Sequence, residues 1–337
     1  MHVYGGVALM IVAVLVAALA NAQAQRLPPD VMVTKPQVYE VTITTKFVVP
    51  KNGRDLTGLG VWHALPNARP WDGLDRTIGA SAITFQPASG RIQHLSTNES
   101  QNVFWELREG LTVGKTFEFV SRFRVRSADR TYDAQRSTAK WSDYHHNLDV
   151  IAPSVDANLD PIVDAIKKSH SPAETALEFC KWITENLKYD ASVPYNPRDL
   201  SSILAHKKGH CGHQMTTFEA MCVRAGIPTR TVVGLNLNTP GGVGPLHEIR
   251  PDFQNQHTWA QIYLPGSGWV EIDPGMGAKA YFVPAQVIQN STDFQNYVIW
   301  ICENGTWKIP GWEYRLGKWY SAYGIENHRR FRKLAAE

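Results

Sequence analysis

The sequence predicts an α+β protein: an antiparallel, sandwich-like β half, then a half that runs helices first and antiparallel sheet second. Three observations predict it. Phe117, Phe119, Phe123 and Val125 fall on a period of two, the mark of a strand with one buried face. Ala176, Leu177, Cys180, Ile183 and Leu187 recur at helical spacings behind a Ser171-Pro172 start. After a second helical run, strand-like segments return, joined by the tight turn Pro265-Gly266-Ser267-Gly268.

The elements follow in order. Val38 to Val49 is rich in Val, Thr, Ile and Phe and reads as a strand. Further strands are expected at 59–65, 82–85, 91–95, 103–107 and 115–125, with turn-rich breaks at Pro50 to Gly53 and Pro66 to Gly73. The alternation in the last strand changes content at Ser121. Residues 30–127 form the β-rich domain, and 128–158, polar and broken by Pro153, read as a linker. A short helix is expected from Leu159 to Ile166, and a second one behind Pro172. Met215, Phe218, Met221 or Cys222, and Ala225 mark a third, stopped by Gly226 and Pro228. Strands follow at Arg230 to Leu237, His257 to Leu264 and Gly268 to Ile272, the last ended by Asp273-Pro274-Gly275. The second domain spans 159–320, and 321–337, with Arg329, Arg330, Arg332 and Lys333, read as a solvated tail.

Bulk properties narrow the function classes. With 337 residues and 43% hydrophobic content the chain can build a real core, which excludes a disordered protein. A net charge of +3 without a concentrated basic face gives no nucleic-acid footprint. Val7 to Ala20 is apolar and is followed by Ala20-Asn21-Ala22 and Ala22-Gln23-Ala24, whose small residues suit signal peptidase. Residues 1–24 therefore read as a signal peptide, although no Lys or Arg precedes the run, and the mature chain would be periplasmic or secreted. No later run is long enough to span a membrane, so no stable transmembrane association is expected.

Among four cysteines, Cys211 stands apart. It sits at the start of a helical run, where backbone N–H groups and the helix dipole favour a thiolate. Its surroundings, Lys207-Lys208-Gly209-His210-Cys211-Gly212-His213, are too polar for a simple core segment. Its own N–H is a candidate oxyanion donor. His257 opens one strand and Asp273 closes the next, so an antiparallel pair could set imidazole beside carboxylate. His257 would then act as base and acid, and Asp273 would orient it. Trp259 shares the His257 face by alternation, and could shield the His–Asp pair, border the acyl pocket or simply fill core. His210 and His213 invite a metal reading, but no carboxylate or third histidine lies at a ligand-like interval, so neither metal nor cofactor is expected. Cys180 reads as a packed small hydrophobe.

Three stretches resemble the transglutaminase-like superfamily, in its bacterial secreted branch. The first is Gly209-His210-Cys211-Gly212-His213, continuing through Arg224 to Arg230 and Val233-Gly234. The others are His257-Thr258-Trp259-Ala260-Gln261-Ile262-Tyr263 and Gly268-Trp269-Val270-Glu271-Ile272-Asp273-Pro274. The resemblance covers Leu159 to Gly275 and implies a papain-like core, with a Cys-bearing helix packed on an antiparallel sheet that carries His and Asp. It puts the family's catalytic Cys, His and Asp on Cys211, His257 and Asp273. It also puts Tyr189 at a family tyrosine position, where the hydroxyl could donate to an oxyanion or merely pack. Gly275, Thr229 and Gln261 depart from residues frequent in relatives and remove no reacting group. Calcium dependence does not carry over, since no calcium-loop pattern is present.

The implied reaction is thiol attack on a glutamine or peptide amide of a protein or peptide substrate, with the acyl group passed to an amine or to water. Crosslinking, protease and amidase outcomes share this chemistry. The competing classes are a non-catalytic exported peptide-binding module and a structural envelope protein that keeps the fold.

Overall fold

The computed structural model describes residues 27–49, 56–66, 73–74, 83–94, 101–144, 157–193, 196–237, 247–249, 256–290, 298–308, 312–315, 318–321 and 325–334. The expected signal peptide, His145-His146 and the Pro240 to Pro245 loop lie outside the described residues.

Two antiparallel sheets form the β half. The larger is built on β1 (Val31–Val48), which pairs along its length with β4 (Thr116–Tyr132). The smaller has β2 (Leu56–Leu65) at its centre, next to β3 (Gln101–Leu107). From Tyr39 to Phe47 every second residue of β1 is buried, and Phe119, Phe123 and Val125 of β4 do the same. They meet Leu59, Val61, Val103 and Trp105 of the facing sheet in one apolar core. Each such aromatic or branched side chain contributes about 1.5–3 kcal/mol on full burial. The change of content at Ser121 has a partner: His63 on β2 bonds Ser121 Oγ through Nδ1 and Thr45 Oγ1 through Nε2, both at 2.9 Å. Three buried polar groups thus satisfy one another between the sheets.

Chain order and domain order differ. Residues 321–337 were expected as a tail, yet β9 (Glu326–Lys333) pairs with β1 through eight register positions. Alternation explains it: Phe331 enters the sandwich core while Arg330 and Arg332 stay exposed, and Arg332 bonds Glu40 at 2.9 Å. Likewise β8 (Val298–Glu303), within the span assigned to the second domain, pairs with β2 and completes the smaller sheet. The polar segment expected as a linker begins inside β4, which runs on to Tyr132. From Ser127 to Arg130 every residue is buried. Hydrophobicity could not reveal this, because the polar groups are paired across the junction: Asp129 Oδ1 takes the Ala285 N–H at 3.1 Å, and Arg130 pairs with Glu271.

The second half carries α1 (Asp160–Ser169), α2 (Pro172–Asn186), α3 (Leu200–His206) and α4 (Cys211–Ala225). Ser171 caps α2 in a box with Glu174, as its Ser-Pro start predicts. A four-stranded antiparallel sheet follows, with β5 (Thr229–Asn236) beside β6 (Gln256–Leu264), and β6 beside β7 (Gly268–Ile272). Residues 286–290 complete it on the far side of β5. Ala260, Ile262, Leu264, Val270 and Ile272 join Met215, Phe218 and Met221 of α4 in one core. The fold is therefore α+β, with the helix that begins at Cys211 laid on an antiparallel sheet. No helix among the described residues is long and apolar enough to cross a membrane.

Arg130 and Glu271 are both almost fully buried, one on the sandwich side and the other two residues before Asp273. Arg130→Met should cost about 3–5 kcal/mol by urea denaturation, because it breaks the buried Arg130–Glu271 pair; a loss under about 1 kcal/mol would show that the pair does not seal the junction.

Candidate active site

Helix α4 starts at Cys211 because its first turn is capped from both ends of a box. The His210 side chain accepts the Gly212 N–H at 3.0 Å, and His213 Nδ1 accepts the His210 N–H at 3.2 Å. The helix ends at Gly226, whose φ of 84° gives the left-handed stop. Gly209 lets the chain pass beneath this turn: a Cβ there would stand 2.4 Å from His213 Cβ. The residues before Cys211 are held by a short parallel bridge of Lys188–Tyr189 to Lys208–Gly209, with the Asp190 N–H on Gly209 O at 2.9 Å.

His257 lies one residue into β6, opposite Gly234 of β5. Asp273 follows β7 directly and caps the 3-10 helix Pro274–Lys279. The two meet at 2.6 Å, His257 Nε2 to Asp273 Oδ2. Asp273 Oδ1 accepts the Gly275 N–H at 3.0 Å, which fixes the carboxylate's second oxygen. The Cys211 thiol, at the first residue of α4, is partly exposed. The structure thus brings His257 and Asp273 into contact where β6 begins and β7 ends, with Cys211 at the start of α4 acting electrostatically on His257.

The electrostatics follow from these contacts. Burial alone would raise the Cys211 thiol, but hydrogen bonds from His210 and His257 and the imidazolium charge outweigh it and lower the pKa to about 5. Burial alone would lower His257, yet the Asp273 carboxylate, its hydrogen bond and the thiolate raise it to about 10. Between those values the two groups form a thiolate–imidazolium pair. The buried thiols of Cys180 and Cys222 move the other way, pushed up chiefly by burial. All four cysteines are free.

Trp259 is fully buried against Val232, and its ring stacks on His257 at 5.8 Å and 15°. Its burial fits the expectation of core packing. Tyr189 is 59% exposed beside Gly209. Although more than half of it meets solvent, its hydroxyl pKa is raised, by local desolvation first and then by Cys211 and Asp273. His210 and His213 invited a metal reading in the sequence. Their rings instead meet edge to face at 4.1 Å, because an i, i+3 pair at a helix start is the spacing of a capping box. Among the described residues no group of three or more possible metal ligands converges.

Fold and geometry define a class: an α+β core in which a thiol at a helix start faces an imidazole–carboxylate pair on an antiparallel sheet. Residues 160–274 match the model of the transglutaminase-like superfamily, and this part of the chain is a transglutaminase-like domain. It is 26% identical to an uncharacterised protein of Haemophilus influenzae over 298 residues, 80% of this chain and 77% of the relative. It is 28% identical to the uncharacterised protein YebA of Bacillus subtilis over 115 residues, 32% of this chain and 14% of that one. A candidate cysteine protease from Cytophaga hutchinsonii shares the fold, with a TM-score of 0.58 and 13% identity over 91% of this chain and 94% of that one.

Gly209→Ala should destabilise the protein by about 1–3 kcal/mol or more through overpacking against His213, seen as a lowered thermal midpoint. Asp273→Asn removes the charge that holds His257 protonated, so the thiol alkylation inflection should rise above about 5. An unchanged inflection would mean that the carboxylate does not act on the thiol through His257.

Proposed function

We propose that this chain is an exported transglutaminase-like cysteine enzyme, with Cys211 as nucleophile, His257 as acid and base, and Asp273 as the orienting group. The observation that carries the reading is the poise of Cys211: it is lowered to about 5, against an imidazole raised to about 10, whereas the thiols of Cys180 and Cys222 are raised. The Cys211 thiolate attacks the carbonyl carbon of a glutamine or peptide amide. The Cys211 N–H, first of its helix and without an intrahelical acceptor, faces the developing oxyanion. Tyr189 is a second candidate donor at the same mouth. The C–N bond breaks as His257 passes its proton to the leaving ammonia or amine, and a thioester remains on Cys211. Neutral His257 then takes a proton from water or an acceptor amine, and the acyl group leaves sulfur.

Water as acceptor gives peptidase or amidase action, and an amine gives a crosslink. The substrate is a protein or peptide, and the site of action is the periplasm or the medium, as the apolar segment before residue 24 suggests. A binding module that merely keeps the fold has no need of an ionised thiol, and no feature of the site favours it.

The rate should follow the ion pair. kcat/KM should rise as pH climbs through about 5, where the thiolate forms, and fall through about 10, where the imidazolium is lost. Cys211→Ala should abolish both cleavage and transfer when glutamine-bearing peptides are incubated with and without a primary amine and followed by mass spectrometry. Turnover that survives Cys211→Ala, or a thiol with an ordinary inflection of about 8.5, would sink the reading.

A further inference from the structure

Asp273 offers two oxygens, and one of them keeps a free lone pair. Oδ2 meets His257 Nε2 at 2.6 Å, and Oδ1 accepts the Gly275 N–H at 3.0 Å. A carboxylate oxygen has two lone pairs, so Oδ1 has room for a second donor. Beside it lies Gln214, three residues after Cys211 on α4 and so nearly one turn along. Gln214 is 3% exposed, and its Oε1 is buried without a hydrogen-bond partner among the described residues. Such an orphan is uncommon, because a polar atom that loses its water needs a replacement. Thr217, further along the same helix and buried too, returns its hydroxyl to His213 O at 3.1 Å.

Gly275 shows where the amide ends. A Cβ built there would stand 3.0 Å from Gln214 Oε1 and 3.4 Å from Asp273 Oδ1. Two oxygens therefore flank one spot, which glycine leaves open and any side chain would press upon. Neighbouring oxygens repel unless one of the two groups donates a proton. The carboxylate supplies the charge that raises His257, so it only accepts. The amide can donate: a half turn about its Cγ–Cδ bond exchanges Oε1 and Nε2, which have the same shape, and turns an N–H toward the carboxylate.

We propose that Gln214 is a positioning residue for Asp273: its side-chain amide, turned with Nε2 toward Gly275, gives the carboxylate a third hydrogen bond, from the helix that carries Cys211. The inference rests on the reading of Cys211, His257 and Asp273 as the reacting set. His257 reaches Asp273 from β6, and the Gly275 N–H comes from the loop after β7. Gln214 adds a tie from α4, so the carboxylate is set by the same helix that sets the nucleophile. Gln214 touches no reacting atom and acts through Asp273 on the imidazole.

The test is a double-mutant cycle of Gln214→Met and Asp273→Asn, read as turnover of glutamine-bearing peptides with the thermal midpoint alongside. Methionine is unbranched and of similar length but has no N–H, so the packing is kept and the donor lost. Gln214→Met should lower kcat about tenfold and leave KM unchanged, since the substrate is not touched. In the Asp273→Asn background the same substitution should change kcat by less than about twofold. Gln214→Glu is the second variant. The titratable groups that feel the Asp273 charge are His257, Cys180 and Tyr189, and the new carboxyl would join them. While neutral at acid pH it donates as the amide does, so kcat should stay near that of the wild type. As it ionises the two carboxylates repel, and kcat should fall before the alkaline limb at about 10. An idle buried acceptor predicts the opposite for Gln214→Met, a raised thermal midpoint with kcat unchanged, and that result would overturn the proposal. Equal losses with Asp273 and with Asn at that position would overturn it as well, because Gln214 would then act elsewhere. Turnover that survives Cys211→Ala would instead sink the nucleophile reading, and the proposal with it.

Discussion

One contact organises the second half of the molecule, the 2.6 Å bond between His257 and Asp273. A hydrogen bond of that length needs both partners immobile, and the chain supplies the constraint from two directions. His257 is set by the register of β6 on β5 and by the parallel ring of Trp259 beneath it. Asp273 is set by its own backbone, with its N–H on Ala280 O at 2.9 Å, and by the Gly275 N–H on its second oxygen. The loop that makes these bonds can close only because Gly277 adopts a φ of 54° and brings its Cα against α2, where a Cβ would stand 2.5 Å from Thr184 Oγ1. The carboxylate is therefore held by the helix layer as well as by the sheet.

The sandwich takes part in that constraint. Where β4 leaves the sandwich, Thr131 and Arg130 pair with Phe282 and Val283, the residues that follow the Asp273 loop. The Tyr132 N–H bonds Tyr281 O, and the Tyr281 hydroxyl reaches Ala173 O at the start of α2. Glu271, buried against Arg130, lies on the same strand as Asp273's approach. The first half is thus a brace whose longest strand is stitched to both ends of the segment that carries the carboxylate. This gives physical content to a β domain with no obvious chemistry of its own. A sheet strand deforms less than a loop, and a site joined to one inherits its stiffness.

The sequence made the local elements legible and the long-range ones not. β7 runs from Gly268 to Ile272 and α4 from Cys211, as the turn chemistry and the apolar period dictate. Both signals are contained within a dozen residues. The tail that became β9, the late strand β8 and the buried end of β4 were misread because their pairing partners lie far away in sequence. Arg130 looks like a solvent residue until Glu271 is placed against it. For the site, the residue types and their order could be read, but the contacts among them could not. The role of His210 was hidden for a different reason. Histidine is an uncommon helix cap, so a His-x-x-His spacing suggests a metal before it suggests a capping box.

Why the Cys211 thiol is lowered while the Cys222 thiol is raised can be argued along a single helix. Cys211 and Cys222 both belong to α4, about three turns apart. Cys222 is fully buried in the core, and desolvation raises its pKa. Cys211 suffers desolvation too, and it is the largest single influence on it, but four favourable influences oppose it. Two imidazoles act on it: His210 is the helix cap, and His257 sits one residue into β6. The same burial that silences Cys222 strengthens their effect at Cys211, since charge–dipole interactions grow as water is removed. Burial is therefore not what separates an inert thiol from a poised one in this fold. The imidazoles that stand beside the sulfur at the first turn of α4 separate them.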